Sequence, residues 1–188
     1  MNDIERQKKV LNMMVTAHSV LANQYSFQST FVEISLLVAS AVLNALVIAD
    51  PKFIQNLTTL TEGTQKTIIA VTSVIVFVFS LILLQVKWKE KAENHQKTAD
   101  QLFILLQECR LILHLDDIEQ KNLRVIEFDK KYIQLSGILA KIPDSQFNKL
   151  KAHHNNKVEL SKLIDNYPGA NYWILKARLF LSSFAKKR

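Results

Sequence analysis

Glycine and proline are almost missing, with three of each in 188 residues. That scarcity starves an all-β chain of its turns and favours long helices. A single cysteine, Cys109, cannot close an intrachain disulfide, so nothing points to an oxidising compartment. The opening stretch MNDIERQKKV lacks the short apolar core and small-residue cleavage site of a signal peptide, so the first apolar block is expected to be retained. Also missing are a Gly-rich phosphate loop, a nucleophile beside a matched base and a metal-ligand spacing. The expectation is therefore a protein that is not an enzyme, with no cofactor, no metal and no nucleic-acid partner.

What is present is apolar and concentrated. Hydrophobic residues make up 48% of the chain and gather in two blocks, with Lys, Gln, Asn and Glu filling the remainder. The second block, TIIAVTSVIVFVFSLILLQV, residues 67–86, has no charge and fourteen Ile, Val, Leu or Phe. As a helix it is about 30 Å long, the thickness of a bilayer's hydrocarbon core. The first block, residues 31–49, holds eleven such residues and stops at Asp50-Pro51, where proline ends a helix. Arg6, Lys8, Lys9, Lys87, Lys89, Lys91 and Lys97 flank the outer ends of the two blocks, against Lys52 and Lys66 between them. The positive-inside rule then puts both termini in the cytoplasm.

The expected fold is an all-α membrane protein: two transmembrane helices with a long helical cytoplasmic stalk or bundle. Residues 1–30 form an N-terminal amphipathic helix, 31–49 the first span, 50–66 an external loop and 67–86 the second span. That span is expected to run without a break into a cytoplasmic helix over 87–115, with further cytoplasmic helices over 116–188.

Glu33 lies two residues into the first span. Helical spacing puts it on one face with Leu37, Ser40 and Asn44, extended backward by Ser29 and Ser26. Two readings stand. Glu33 is a structural carboxylate at headgroup depth, paired with Lys87 or Lys89; or the stripe, whose Ser40 and Asn44 lie deeper, lines a pore or an oligomer interface.

After Lys87 the apolar spacing alternates four and three: Trp88, Ala92, His95, Ala99, Leu102, Leu106, Cys109, Leu113. A similar seam precedes the first span at Leu11, Met14, His18, Leu21 and Tyr25. These are coiled-coil spacings, and the two segments are expected to pack antiparallel as a stalk. His18 and His95 fall on the seams at comparable depth, as hydrogen-bonded packing residues or as a pH switch or metal pair. Cys109 reads as a small buried apolar residue.

Further helices are expected over 118–141 and 145–166, separated by IPDS with its capping residues, the latter stopped at Tyr167-Pro168-Gly169. A terminal amphipathic helix carries Trp173, Ala177, Phe180 and Phe184 on one side, to dock on the bundle or lie on the membrane. Residues 149–188 carry a charge of +7, as large as that of the whole chain. Lys149, Lys151, His153, His154, Lys157, Lys162, Lys176 and Arg178 are the candidates for binding anionic lipid or an anionic ligand such as a nucleotide. The bland alternative is a solvated basic surface. His153 and His154 point about 100 degrees apart on a helix, which argues against a shared metal.

The basic helix with AHSVLANQY, the two spans, WKEKAENHQKTADQLFILLQE, YIQLSGILAKIPDSQF and HNNKVELSKLIDNYPGANYWILKAR together resemble the SLATT superfamily, bacterial two-transmembrane effectors found beside nucleotide-signalling genes. The resemblance covers nearly the whole chain and places His18, Tyr25, Lys91, Ala92, His95 and Glu108 on the family's recurrent pattern. It implies a pore-forming effector of the bacterial inner membrane in anti-phage defence, homo-oligomeric and triggered by a nucleotide second messenger or a separate sensor or nucleotide-synthesising protein. The competing expectation is a non-conducting scaffold that recruits a soluble partner through its helical part.

Overall fold

The computed structural model describes residues 2–48 and 61–185. The loop residues 50–60, Ala49 at the end of the first span, the side chain of Phe184 and the terminal Lys186, Lys187 and Arg188 lie outside the described residues. Six helices and no strand account for what is described: α1 Asn2–Ile48, α2 Glu62–Val86, α3 Trp88–Leu113, α4 Ile118–Ser136, α5 Asp144–Asn166 and α6 Tyr172–Ala185. The chain divides into two compact units, one of Met1–Leu21 with Asn94–Arg188 and one of Ala22–Glu93.

α1 is one uninterrupted helix of 47 residues that covers both the N-terminal segment and the first apolar block. Nothing between residues 2 and 48 breaks it, since neither glycine nor proline occurs there. The expected continuity of the second span does not hold. α2 ends at Val86, Lys87 adopts the left-handed conformation at φ 53 and ψ 41, and α3 begins at Trp88. The Lys87 carbonyl accepts from Lys91 N–H, so one residue closes one helix and opens the next. The reason lies in the register. An unbroken helix would carry the Val86 face on to Glu90, Glu93 and Lys97, all charged. Trp88, which starts the apolar seam, lies about 200 degrees round from Val86. Rotating the chain at Lys87 re-aims the seam.

Remaining ends follow local chemistry. Thr61 caps α2 through Thr64 N–H at 3.4 Å, Asp117 caps α4 through Glu119 N–H at 2.9 Å, and Asn171 caps α6 through Trp173 N–H at 2.9 Å. α4 stops at Ser136 instead of Lys141, where a turn at Gly137 intervenes. Pro143 holds the N-cap position of α5 with no side-chain cap, so the polar residues of IPDS do not cap it as expected. The turn after α5 passes through Gly169 at φ 96, a conformation glycine adopts without the steric cost of a Cβ.

The first unit is built round an apolar cluster of Ile4 and Leu11 from α1, Leu102, Leu105, Leu106, Cys109 and Ile112 from α3, and Phe128 from α4. The seams expected on α1 and α3 supply half of it, Leu11, Leu102, Leu106 and Cys109. Leu150 and His154 are the buried residues of α5, and Leu175 is the point at which α6 is buried. The terminal helix therefore turns Leu175 and Leu179 inward. The expected docking face shows Trp173 and Phe180 exposed instead.

The second unit holds two helices long and apolar enough to cross a membrane, and the most apolar stretch of each is 0% buried by the chain itself. The least exposed positions recur at helical spacing: Val32, Leu36, Ala39 and Leu43 on α1, and Gln65, Ile69, Thr72, Val76 and Leu83 on α2. Along these stripes the helices of this unit find what shielding they have. Hydroxyls elsewhere on them bond back to the preceding turn, Ser35 to Phe31 O, Ser73 to Ile69 O and Ser80 to Val76 O. Such bonds let a hydroxyl enter hydrocarbon without leaving its donor unmet.

Candidate functional site

Three groups of polar residues stand out against this apolar frame. In the second unit the stripe Glu33, Leu37, Ser40 and Asn44 is exposed, one position round from the half-buried stripe Val32, Leu36, Ala39 and Leu43. It is thus turned aside from the face that α1 shields within its own chain. Glu33 accepts a 2.7 Å hydrogen bond from the Ser29 hydroxyl, and Ser29 is buried. Lys87, offered by the sequence as a partner for Glu33, instead pairs with Glu90 at 3.2 Å. Among the described residues no hydrogen bond involves the side chain of Ser40 or Asn44. They differ in this from Ser35, Ser73 and Ser80.

In the first unit a polar layer crosses the apolar core. His18 on α1 and His95 on α3 approach Nδ1 to Nδ1 at 2.9 Å, so the contact holds one proton, carried by either ring. His18 is fully buried and its Nε2 has no hydrogen-bond partner. Burial, and then the neighbouring His95, lower the His18 pKa to about 4. Burial lowers His95 as well. Both rings are neutral near pH 7. The seam residues Tyr25 and Trp88 fall within the second unit and are half-buried.

Two residues before His18, Thr16 donates its hydroxyl hydrogen to Asn12 O at 3.0 Å. Having spent it, Thr16 Oγ1 accepts from His154 Nδ1 at 3.1 Å, which fixes the proton of that imidazole on Nδ1. Thr98 does the same on α3, donating to Asn94 O at 2.9 Å and accepting Ala140 N–H at 3.1 Å. Thr16 and Thr98 were not legible as site residues, because their partners lie far away in sequence.

His154 thus leaves the basic surface on which the sequence placed it. It is buried against α1, while His153 remains exposed. Burial, then Lys157 and His153, lower the His154 pKa. Lys149, Lys151, Lys157, Lys162, Lys176 and Arg178 are exposed as expected. They do not form one cluster. Lys162 pairs with Glu159 at 2.8 Å, Arg178 lies over the Tyr167 ring at 5.3 Å, and Lys157, Lys176 and His153 line a cleft between α5 and α6. Among the described residues no three His, Cys, Asp or Glu side chains gather in a way that could hold a metal ion. No protein-family model, curated protein or solved structure matches the chain.

Proposed function

We propose that the chain is a pore-forming effector of the bacterial inner membrane, assembled from several copies, with both termini cytoplasmic. In this reading it belongs to anti-phage defence and depolarises the membrane when a nucleotide messenger or a separate sensor protein triggers it. The observation that carries the reading is the pair Ser40 and Asn44, whose side chains are exposed on an apolar helix and make no hydrogen bond among the described residues. An unpaired polar group in hydrocarbon costs several kcal/mol. A second copy or a column of water removes that cost, and two helices enclose a pore only as part of an oligomer. The resemblance to the SLATT superfamily supplies the defence setting.

The test is ion flux across liposomes containing the purified protein, with Asn44→Leu and Glu33→Leu as variants. The pore reading expects flux that changes in both variants while the oligomer persists. Unchanged flux in both takes the stripe out of the conduction path.

A second reading, a non-conducting scaffold, draws on a different observation. Ile118, Ile126 and Ile133 share one face of α4 and are 75%, 54% and 70% exposed. A protein partner or a further copy would cover such a face. The scaffold reading expects no flux under any trigger and a stable soluble partner.

A further inference from the structure

The clefts of the first unit differ in how their charges are met. The cleft between α3 and α4 carries Lys131 with Glu108 at 2.7 Å and Arg124 with Glu127 at 3.2 Å, so its cations are answered by its own carboxylates. The cleft between α5 and α6, about 450 Å³, is lined by Lys157, Lys176, His153 and Asn156 with no carboxylate among its residues. Neither lysine makes an ion pair among the described residues. On α6 the aromatic rings of Tyr172 and Phe180 flank Lys176 one turn to either side, and Leu160 and Leu179 complete the apolar lining.

The cleft is shaped by the fold and does not depend on a ligand to form. The Tyr167–Gly169 turn reverses the chain between the two helices, Asn171 caps α6, and Leu175 is buried. Lys176 rests its ammonium over the Trp173 ring at 5.4 Å and the Tyr172 ring at 6.0 Å. Such contacts are weak at an exposed site and exchange readily for a full negative charge. A volume of this size lies within the range of small-molecule sites, and its few polar groups are set among apolar and aromatic side chains from both helices. The cation surplus also reaches through α5, where Lys157 and His153 add to burial in disfavouring the charged form of His154.

We propose that the α5–α6 cleft binds a phosphate ester carrying an apolar or aromatic body, with Lys157 and Lys176 on the phosphate, His153 and Asn156 donating beside it, and Tyr172 and Phe180 against the body. The site belongs to the first unit alone, and its occupancy does not depend on whether the spans conduct.

The test uses the full chain in nanodiscs of phosphatidylcholine, with Trp88→Phe so that Trp173 is the sole indole. Equilibrium dialysis with radiolabelled adenosine 5′-monophosphate measures affinity, and Trp173 emission reports the cleft. Saturable binding is expected, with inorganic phosphate at least tenfold weaker for want of a body. Lys157→Gln and Lys176→Gln are each expected to weaken binding about tenfold, and Lys141→Gln, at an exposed residue outside the cleft, to leave it unchanged. If only discs containing phosphatidylglycerol give the saturable Trp173 signal, with the same dependence on both lysines, the cleft stands and its phosphate is a lipid headgroup. No saturable response to any of these probes overturns the proposal. So does equal binding by the Lys157→Gln/Lys176→Gln double variant, or inorganic phosphate binding as tightly as the nucleotide.

Discussion

The imidazoles of His18 and His95 meet Nδ1 to Nδ1 at 2.9 Å in a buried, mainly apolar interior. The contact fails when both Nδ1 atoms carry a proton, because two N–H groups then face each other, and burial disfavours a charge on either ring. It joins α1 to α3 at one register and no other, as a buried polar pair fixes alignment in a coiled coil.

Acid should loosen this pair. The His18 pKa falls from 6.5 to about 4 on folding, so the unfolded chain takes up more protons between those values. Stability contributed by the neutral pair is complete above pH 6.5 and declines as the pH drops toward about 4. Melting temperature is expected to fall more steeply over that window in the wild type than in His18→Gln/His95→Gln. Equal slopes would mean the histidines are not the sensitive groups.

The His154–Thr16 bond predicts a coupling between α5 and α1. Thr16→Val removes the acceptor from a buried imidazole and should cost about 1–3 kcal/mol by chemical denaturation. Adding His154→Leu should recover part of that loss, since no polar group is then stranded. Strict additivity of the two substitutions would argue against the bond.

Lys87 sits at φ 53, where a side chain costs about 1–2 kcal/mol. Lys87→Gly is expected to raise the melting temperature slightly and Lys87→Val to lower it. The opposite order would indicate that the chain passes from span to α3 as an unbroken helix.

Cys109 is fully buried and its thiol is pushed up to about 11, by burial first and then by the Glu108 and Asp129 carboxylates, with Lys8 opposing. Iodoacetamide at pH 8 should leave it unmodified in the folded protein and label it in denaturant, as followed by mass spectrometry. Rapid labelling of the folded protein would place the thiol at a surface.

Much of this was legible from spacing. The four-three alternation picked out Leu11, Leu102, Leu106 and Cys109, because coiled-coil periodicity depends on sequence alone. It also put His18 and His95 on facing seams. The break at Lys87 was hidden for the opposite reason: Val86 and Trp88 are both apolar, and only their angular offset shows that one straight helix cannot serve both faces. The inward turn of α6 at Leu175 was misread since its apolar residues surround most of the helix, and the tertiary partner decides which of them is covered. His154 looked like its neighbour His153, and a contact 138 residues away separates them.

The central claim, that the Glu33–Asn44 stripe faces water inside an oligomer, is tested most directly by thiol accessibility in liposomes. Asn44→Cys is compared with Val42→Cys, on the opposite side of α1, and native Cys109 supplies a silent background because it is buried. A membrane-impermeant, charged thiol reagent should modify the cysteine at 44 and spare the one at 42. Equal protection of both positions, in protein shown to be oligomeric and triggered, would contradict the account.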